Sequence, residues 1–313
     1  MADIAFPPTG SAAARFGRRL RGAGDFLWQF GRQKPLGAIG AVICLVFLFA
    51  GIFADFLAPY GYNQIMPINR LKPPSWQHLF GTDNLGRDIF SRILYGAQLS
   101  VIVGLSAASL ATFVSTFLGI TSGYFRGRFD MLVQRFVDAW MSFPDIVVLI
   151  VFAAVLGPGM TQLIIILGLL YGIAGSPIVR SAVLSVREQS YIHAAQSLGA
   201  TPPRIMLRHV LPNVISPVIV LFTTRVGAVI LAEAALAFLG LGVPPPAPTW
   251  GGMLTGSART FMHMAPWMAL APGICLTLVV FSINMFGDAL RDLLDPRMRD
   301  HHRTDLQTGE NHH

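Results

Sequence analysis

The chain has 313 residues, 53% of them hydrophobic and only 12% charged, against about 45–50% and about 25% in an ordinary soluble domain. A mean hydropathy of +0.57 agrees with this bias. The net charge of +7 does not describe a nucleic-acid binder, because Lys and Arg flank apolar runs instead of clustering on one face among stacking groups. Cys44 and Cys275 both lie inside apolar runs, which excludes a disulfide framework and a thiolate metal site.

A membrane-crossing helix needs about 20 mostly apolar residues. In chain order six stretches qualify: Leu36 to Leu57, Leu99 to Tyr124, Ala139 to Leu156, Thr161 to Ile178, Val214 to Leu239 and Met268 to Leu290. Residues 1–35 precede them, and within these Phe16 to Lys34 interleave Arg with Phe26, Leu27, Trp28 and Phe30, which suits an amphipathic helix on an anionic leaflet. Only Gly157-Pro158-Gly159-Met160 separates the third and fourth stretches, so the pair reads as two helices joined by a tight turn. The reading is an all-α integral membrane protein with a six-helix domain over 36–290 and a tail over 291–313.

Orientation follows from the basic residues, which are retained on the cytoplasmic side of inserting helices. With the N-terminus inside, the outer loops 58–98 and 240–267 hold only Arg70, Lys72, Arg87, Arg92 and Arg259. Arg225 lies within the fifth span, and all other Lys and Arg fall inside. Both termini are therefore expected in the cytoplasm.

Catalytic signatures are missing. Neither lysine, Lys34 or Lys72, ends a glycine-rich phosphate loop, so the chain does not itself read as an ATPase. No H-E-x-x-H or G-x-S-x-G occurs. His78, His193, His209 and His263 lack close ligand spacing, and the other four histidines lie in the polar tail, so no metal site is expected.

The loop 180–213 carries the most informative local chemistry. Ser190 can cap a short helix from Tyr191, Gly199 can end it in the left-handed conformation, and Thr201-Pro202 can open a second. Ala195 and Gly199, four apart, leave one helix face nearly bare for close approach of another protein. Arg204 and Arg208, also four apart, form a cationic face, and Leu211-Pro212 is expected to stop the helix before the fifth span.

His193-Ala194-Ala195, Gly199 and Leu211-Pro212 resemble the E-A-A, G, L-P pattern of permease subunits of binding-protein-dependent ABC importers. The resemblance narrows to the second permease of the dipeptide, oligopeptide and nickel importers through Phe80-Gly81-Thr82-Asp83-Asn84-Leu85-Gly86-Arg87-Asp88, Ala232-Glu233-Ala234 with Leu239-Gly240-Leu241-Gly242-Val243, and Gly287-Asp288-Ala289-Leu290-Arg291-Asp292. It runs from about Trp28 to Arg299. His193 stands where that family usually has Glu, and His209 where it has Ile.

The resemblance implies a type I importer fold in a bacterial inner membrane, forming half of a translocation path for di- or oligopeptides. It also implies a second homologous permease, two ATPase subunits and a soluble or lipid-anchored binding protein as partners. ATP and magnesium would sit on the ATPases, with no cofactor on this chain and no nucleic acid involved. His193, Ala194, Ala195, Gly199, Arg204, Arg208, Leu211 and Pro212 would then form the ATPase-coupling loop.

Arg225 and Glu233 are candidates for the path or a gate, since a charge inside a span normally faces a cavity or a partner. Eight residues apart, they fall about 80° apart around the helix, and pairing with the partner permease is the other reading of both. In the outer loop, Asp83, Gly86, Arg87 and Asp88 could roof the cavity, touch the binding protein, or tie the loop down by local hydrogen bonds. Pro244-Pro245-Pro246 and Pro248 make the second outer loop stiff. A self-contained ion-coupled transporter is the alternative, and would need its own ion site and commonly an internal repeat.

Overall fold

A computed structural model describes residues 31–32 and 34–294. The expected amphipathic N-terminal segment lies almost wholly outside these residues, as do the tail beyond 294 and its four histidines. All regular elements among the described residues are helical.

Helix α1, Pro35–Ile52, starts with proline at its first position, where the missing N–H costs nothing. Its 18 residues carry apolar side chains on nearly every side. Leu36, Val42, Leu45 and Phe49 are exposed, and only Gly37, Gly40 and Gly51 are buried. Such a helix is suited to an apolar solvent, not to an aqueous surface. A break at Phe53 and a single turn, Ala54–Leu57, follow.

Helix α2, Ile89–Phe125, has 37 residues and begins ten residues before the apolar run read from the sequence. Asp88 starts it, its carboxylate accepting a hydrogen bond from the Ser91 N–H at 2.8 Å. The early turns carry Ser91, Arg92 and Tyr95, which hydropathy does not count as a span, although Ser91 and Arg92 are buried beneath the preceding loop.

The third expected span is not one helix. Helix α3, Gly127–Met141, and helix α4, Asp145–Leu156, meet at 88°. Pro144 is the cause: it lacks the N–H for an α-helical bond and pushes Phe143 out of the helical region. Among the described residues, five helices are long and apolar enough to cross a membrane, and α3 with α4 makes a sixth when taken as one broken span.

Helix α5, Met160–Arg187, follows the Gly157-Pro158-Gly159 turn and is the most enclosed of the spans. Its close approach to α2 depends on small residues. A Cβ placed on Gly172 would lie 2.7 Å from the Val114 Cβ, and the Ser115 hydroxyl donates to the Gly172 carbonyl at 2.7 Å. Gly172→Leu is expected to overpack this seam and cost about 1–3 kcal/mol, read as a lower midpoint of thermal unfolding in detergent.

Helix α6, Ser190–Ser197, lies in the loop before helix α7, Ile215–Phe238; helix α8, Trp267–Leu294, closes the described chain. Two apolar clusters draw on the same long helices. One joins Val103, Leu149, Leu167, Leu170, Val229 and Leu236; the other joins Val179, Val183, Ile192, Ile205, Val210 and Val218. The second reaches into the 188–214 loop, so the loop is part of a packed interior. Nearby, Arg180 binds Asp130 through two hydrogen bonds of 2.6 and 2.5 Å, fixing α3 to α5.

Candidate coupling loop and translocation path

Gln189 holds the extended conformation that precedes α6, and Ser190 is the first helical residue, not its cap. No side chain caps this helix or the turn Pro202–Ile205 that follows Thr201. The exit from α6 is as the sequence suggests. Gly199 has φ +78°, the Ala200 N–H bonds to the Ala195 carbonyl at 3.1 Å, and the Gly199 N–H bonds to that of Gln196 at 2.9 Å. This closes the orphan carbonyls of the last turn.

The chain does not stop at Leu211-Pro212. Met206–Val210 form a widened π-turn, Leu211–Asn213 a tightened 3₁₀ turn, and α7 starts at Ile215 after Val214 leaves the helical region. Pro212 has no N–H to give to the carbonyl four residues back, and the backbone absorbs the lost bond by changing pitch.

Two faces result. Ile192, Ile205, Val210 and Val214 are fully buried against α5 and α7. Outward stand His193, Ala194, Gly199, Arg204, Arg208 and Pro212, all exposed, while Ala195 and Leu211 are half-buried. The bare Ala195–Gly199 stripe is therefore only partly open. The sequence reading passed over the strongest outward features, Leu198 at 88% exposure and Leu207 at 68%. An apolar residue just before the helix-ending glycine of a polar loop was the available signal. The outward surface is thus mixed apolar and cationic, on a rigid base.

At the opposite end of the bundle, the first of the two loops expected to face outward is tied to itself. Asp83 accepts the Leu85 and Arg87 N–H groups at 2.8 and 2.9 Å and pairs with the Arg87 side chain at 2.6 Å. Gly86, with φ +75°, closes the turn by donating to the Asp83 carbonyl at 3.0 Å. Asp88 holds the α2 N-terminus and also His78, whose Nδ1 lies 3.0 Å from its carboxylate; both side chains are buried.

Indole N–H groups join the two outer loops to the bundle. Trp250 donates to the Ile93 carbonyl and Trp267 to that of Thr82. Between the loops lies a cavity of about 360 Å³ lined by Asp83, Arg87, Arg92, Pro158 and Thr249. The geometry thus shows local tethering at these residues and leaves a largely apolar vestibule, with Arg87 and Arg92 among its few polar groups.

Arg225 and Glu233 are not brought together. The Arg225 guanidinium lies over the Tyr171 ring, 5.2 Å from its centroid. Glu233 is 1% exposed, and its carboxylate faces the Thr249 side chain. Among the described residues, no group of three or more His, Cys, Asp or Glu is arranged to hold a metal ion.

The described residues thus form a bundle of helices apolar and long enough to cross a membrane, with the loop between α5 and α7 packed against them, which is the architecture of a multi-pass membrane protein. Residues 115–300 match the family described as binding-protein-dependent transport system inner membrane components, and residues 24–74 match the N-terminal membrane domain of oligopeptide transport permease C. The chain belongs to that transport-system family and is a multi-pass inner-membrane permease component, a class that works with ATPase and binding-protein partners.

It is 43% identical over 268 residues to the dipeptide transport system permease protein DppC of Alkalihalophilus pseudofirmus, covering 86% of this chain and 88% of that protein. A putative peptide transport system permease protein of Brucella suis is 42% identical, covering 83% and 88%. The glutathione transport system permease protein GsiD of Escherichia coli is 40% identical, covering 87% and 90%. Among solved structures, a chain of the inward-facing MetNI methionine ABC transporter superposes with a TM-score of 0.50 at 16% identity, covering 65% of this chain and 96% of that one. That likeness shows the type I permease fold.

Proposed function

We propose that this chain and a second homologous permease together enclose a path for di- or oligopeptides, driven by two ATPase subunits and supplied by a soluble or lipid-anchored binding protein. Both termini and the loop 180–213 face the cytoplasm, and the loops 58–98 and 240–267 face the binding protein. ATP and magnesium sit on the ATPases, and this chain carries no cofactor. The observation that carries the reading is the two-faced loop: Leu198, Arg204 and Arg208 offered outward on a base whose Ile192 and Ile205 are locked among α5 and α7. A surface so mounted can pass a rigid-body motion of a docked ATPase to the spans. The names of the relatives support peptides as cargo.

His193 takes the place of a family glutamate, so docking here relies on shape and on Arg204 and Arg208. The exposed His193 ring can hydrogen-bond to a partner but in its neutral form makes no ion pair.

The test is peptide uptake into proteoliposomes holding both permeases, both ATPases and the binding protein. Uptake is expected to require ATP and to persist when ionophores collapse all ion gradients. Gradient-driven accumulation by the permeases alone would replace this reading with the ion-coupled one.

A further inference from the structure

Three polar side chains from three helices, Asp145, Tyr171 and Arg225, fall at one depth by their positions along the helices. Asp145 is the first residue of α4, eleven residues before its outer-loop end. Tyr171 is eleven residues into α5 from the same end, and Arg225 is thirteen residues before the end of α7. At about 1.5 Å per residue each lies roughly 17–20 Å from the outer loops, near the middle of a hydrocarbon layer about 30 Å thick. Asp145 reaches this depth only because the 88° break at Pro144 starts a new helix there.

The cluster contains both charges, and they are left apart. Asp145 is close enough for its charge to act on Arg225 and on Tyr171, yet no ion pair joins Asp145 to Arg225 among the described residues. Arg225 is instead held by the face of the Tyr171 ring, itself nearly buried, and its Nε is buried with no hydrogen-bond partner. Asp145 is exposed on the subunit surface. A charge at this depth facing lipid costs several kcal/mol, so such residues face a water-filled cavity or a partner. An aromatic ring orients a guanidinium by its electron-rich face without neutralising it. The donors of Arg225 therefore stay available to a planar carboxylate, for which a guanidinium fork is the best-matched side chain.

We infer that Arg225, steadied by Tyr171 and opposed by Asp145, forms a mid-membrane recognition point for a zwitterionic cargo, Arg225 taking its carboxylate and Asp145 its ammonium. This inference rests on the peptide-permease reading and adds to it a chemical class: small peptides with both ends free. Glu233 takes no part; it is buried further toward the outer loops.

The experiment uses the complete transporter in proteoliposomes, with alanyl-alanine and alanyl-alanine amide each at a concentration that saturates the binding protein. The readout is the ratio of free-acid to amide peptide carried per ATP hydrolysed. Arg225→Gln is expected to lower this ratio about tenfold, the size of one charge-assisted hydrogen bond, while the variant still co-purifies with its partners. Arg225→Lys should recover part of it. An unchanged ratio in Arg225→Gln, whether transport of both peptides falls or neither does, overturns the assignment and leaves the peptide reading standing. A wild-type transporter that carries neither peptide overturns the peptide reading and this inference with it.

Discussion

Leu198→Glu is expected to abolish peptide uptake and the stimulation of ATP hydrolysis by loaded binding protein while leaving the subunit folded. The side chain is 88% exposed, so its removal disturbs no internal packing. It stands at the end of α6 on the exposed side of the loop that also carries Arg204 and Arg208, where a docked partner would cover it. A side chain that serves as a hot spot at the centre of an interface costs about 2 kcal/mol or more when lost, roughly thirtyfold in affinity. Burying a carboxylate there adds a desolvation cost. Co-purification of the ATPases with the variant measures the loss directly. Normal co-purification and normal uptake would remove Leu198 from the docking face. Gly199→Ala makes the informative contrast. No atom lies within 4 Å of an added Cβ, but φ is +78°, so the variant suffers only backbone strain of about 1–2 kcal/mol. Its uptake should fall less than that of Leu198→Glu.

The second large effect concerns stability at the opposite end. Asp88 accepts hydrogen bonds from the Ser91 N–H and hydroxyl and lies 3.0 Å from the buried His78 ring. Asp88→Ala removes a helix cap, worth about 1 kcal/mol, and leaves a buried ring nitrogen without its partner, a further 1–3 kcal/mol. The expected outcome is a loss of about 2–4 kcal/mol, seen as a lower thermal midpoint in detergent and faster proteolysis between residues 58 and 88. Asp88→Asn keeps the size and one acceptor and should cost less. Equal stability of Asp88→Ala and wild type would show that the Asp83–Arg87 ties and the Trp267 bond to Thr82 hold the loop without Asp88.

The long apolar runs were legible because each carries its own signal: about 20 residues that can dissolve in hydrocarbon, ended by polar or helix-breaking residues. Gly157-Pro158-Gly159 announced its turn, and Gly199 its left-handed exit, for the same local reason. What was hidden depended on tertiary neighbours. The first ten residues of α2 look polar, yet Ser91 and Arg92 are buried by a loop that hydropathy cannot place above them. Pro144 was passed over inside the apolar run Ala139 to Leu156, and the 88° angle of the break there is set by packing that no local rule supplies. The outward and inward faces of the 188–214 loop required knowing that Ile192 and Ile205 meet Val179 and Val218, residues from two different spans. Asp145 and Tyr171 were missed at the candidate path because each is unremarkable in its own helix, and only packing sets them beside Arg225. The 80° spacing of Arg225 and Glu233 on one helix did not disclose what covers each: Arg225 lies over Tyr171 of α5, whereas Glu233 is buried beside Thr249.

The isoleucines beneath the coupling loop have one last consequence. Close-packed interiors are barely compressible, so a displacement applied at Leu198 is not taken up as slack between Ile192, Ile205 and the spans behind them. In the coupling role proposed for it, the loop would work like a crank welded to its shaft, not like a rope: it could push as well as pull. A partner that closes and then reopens can therefore drive both strokes of the cycle through a single contact, and no separate spring is needed to return the spans to their starting tilt.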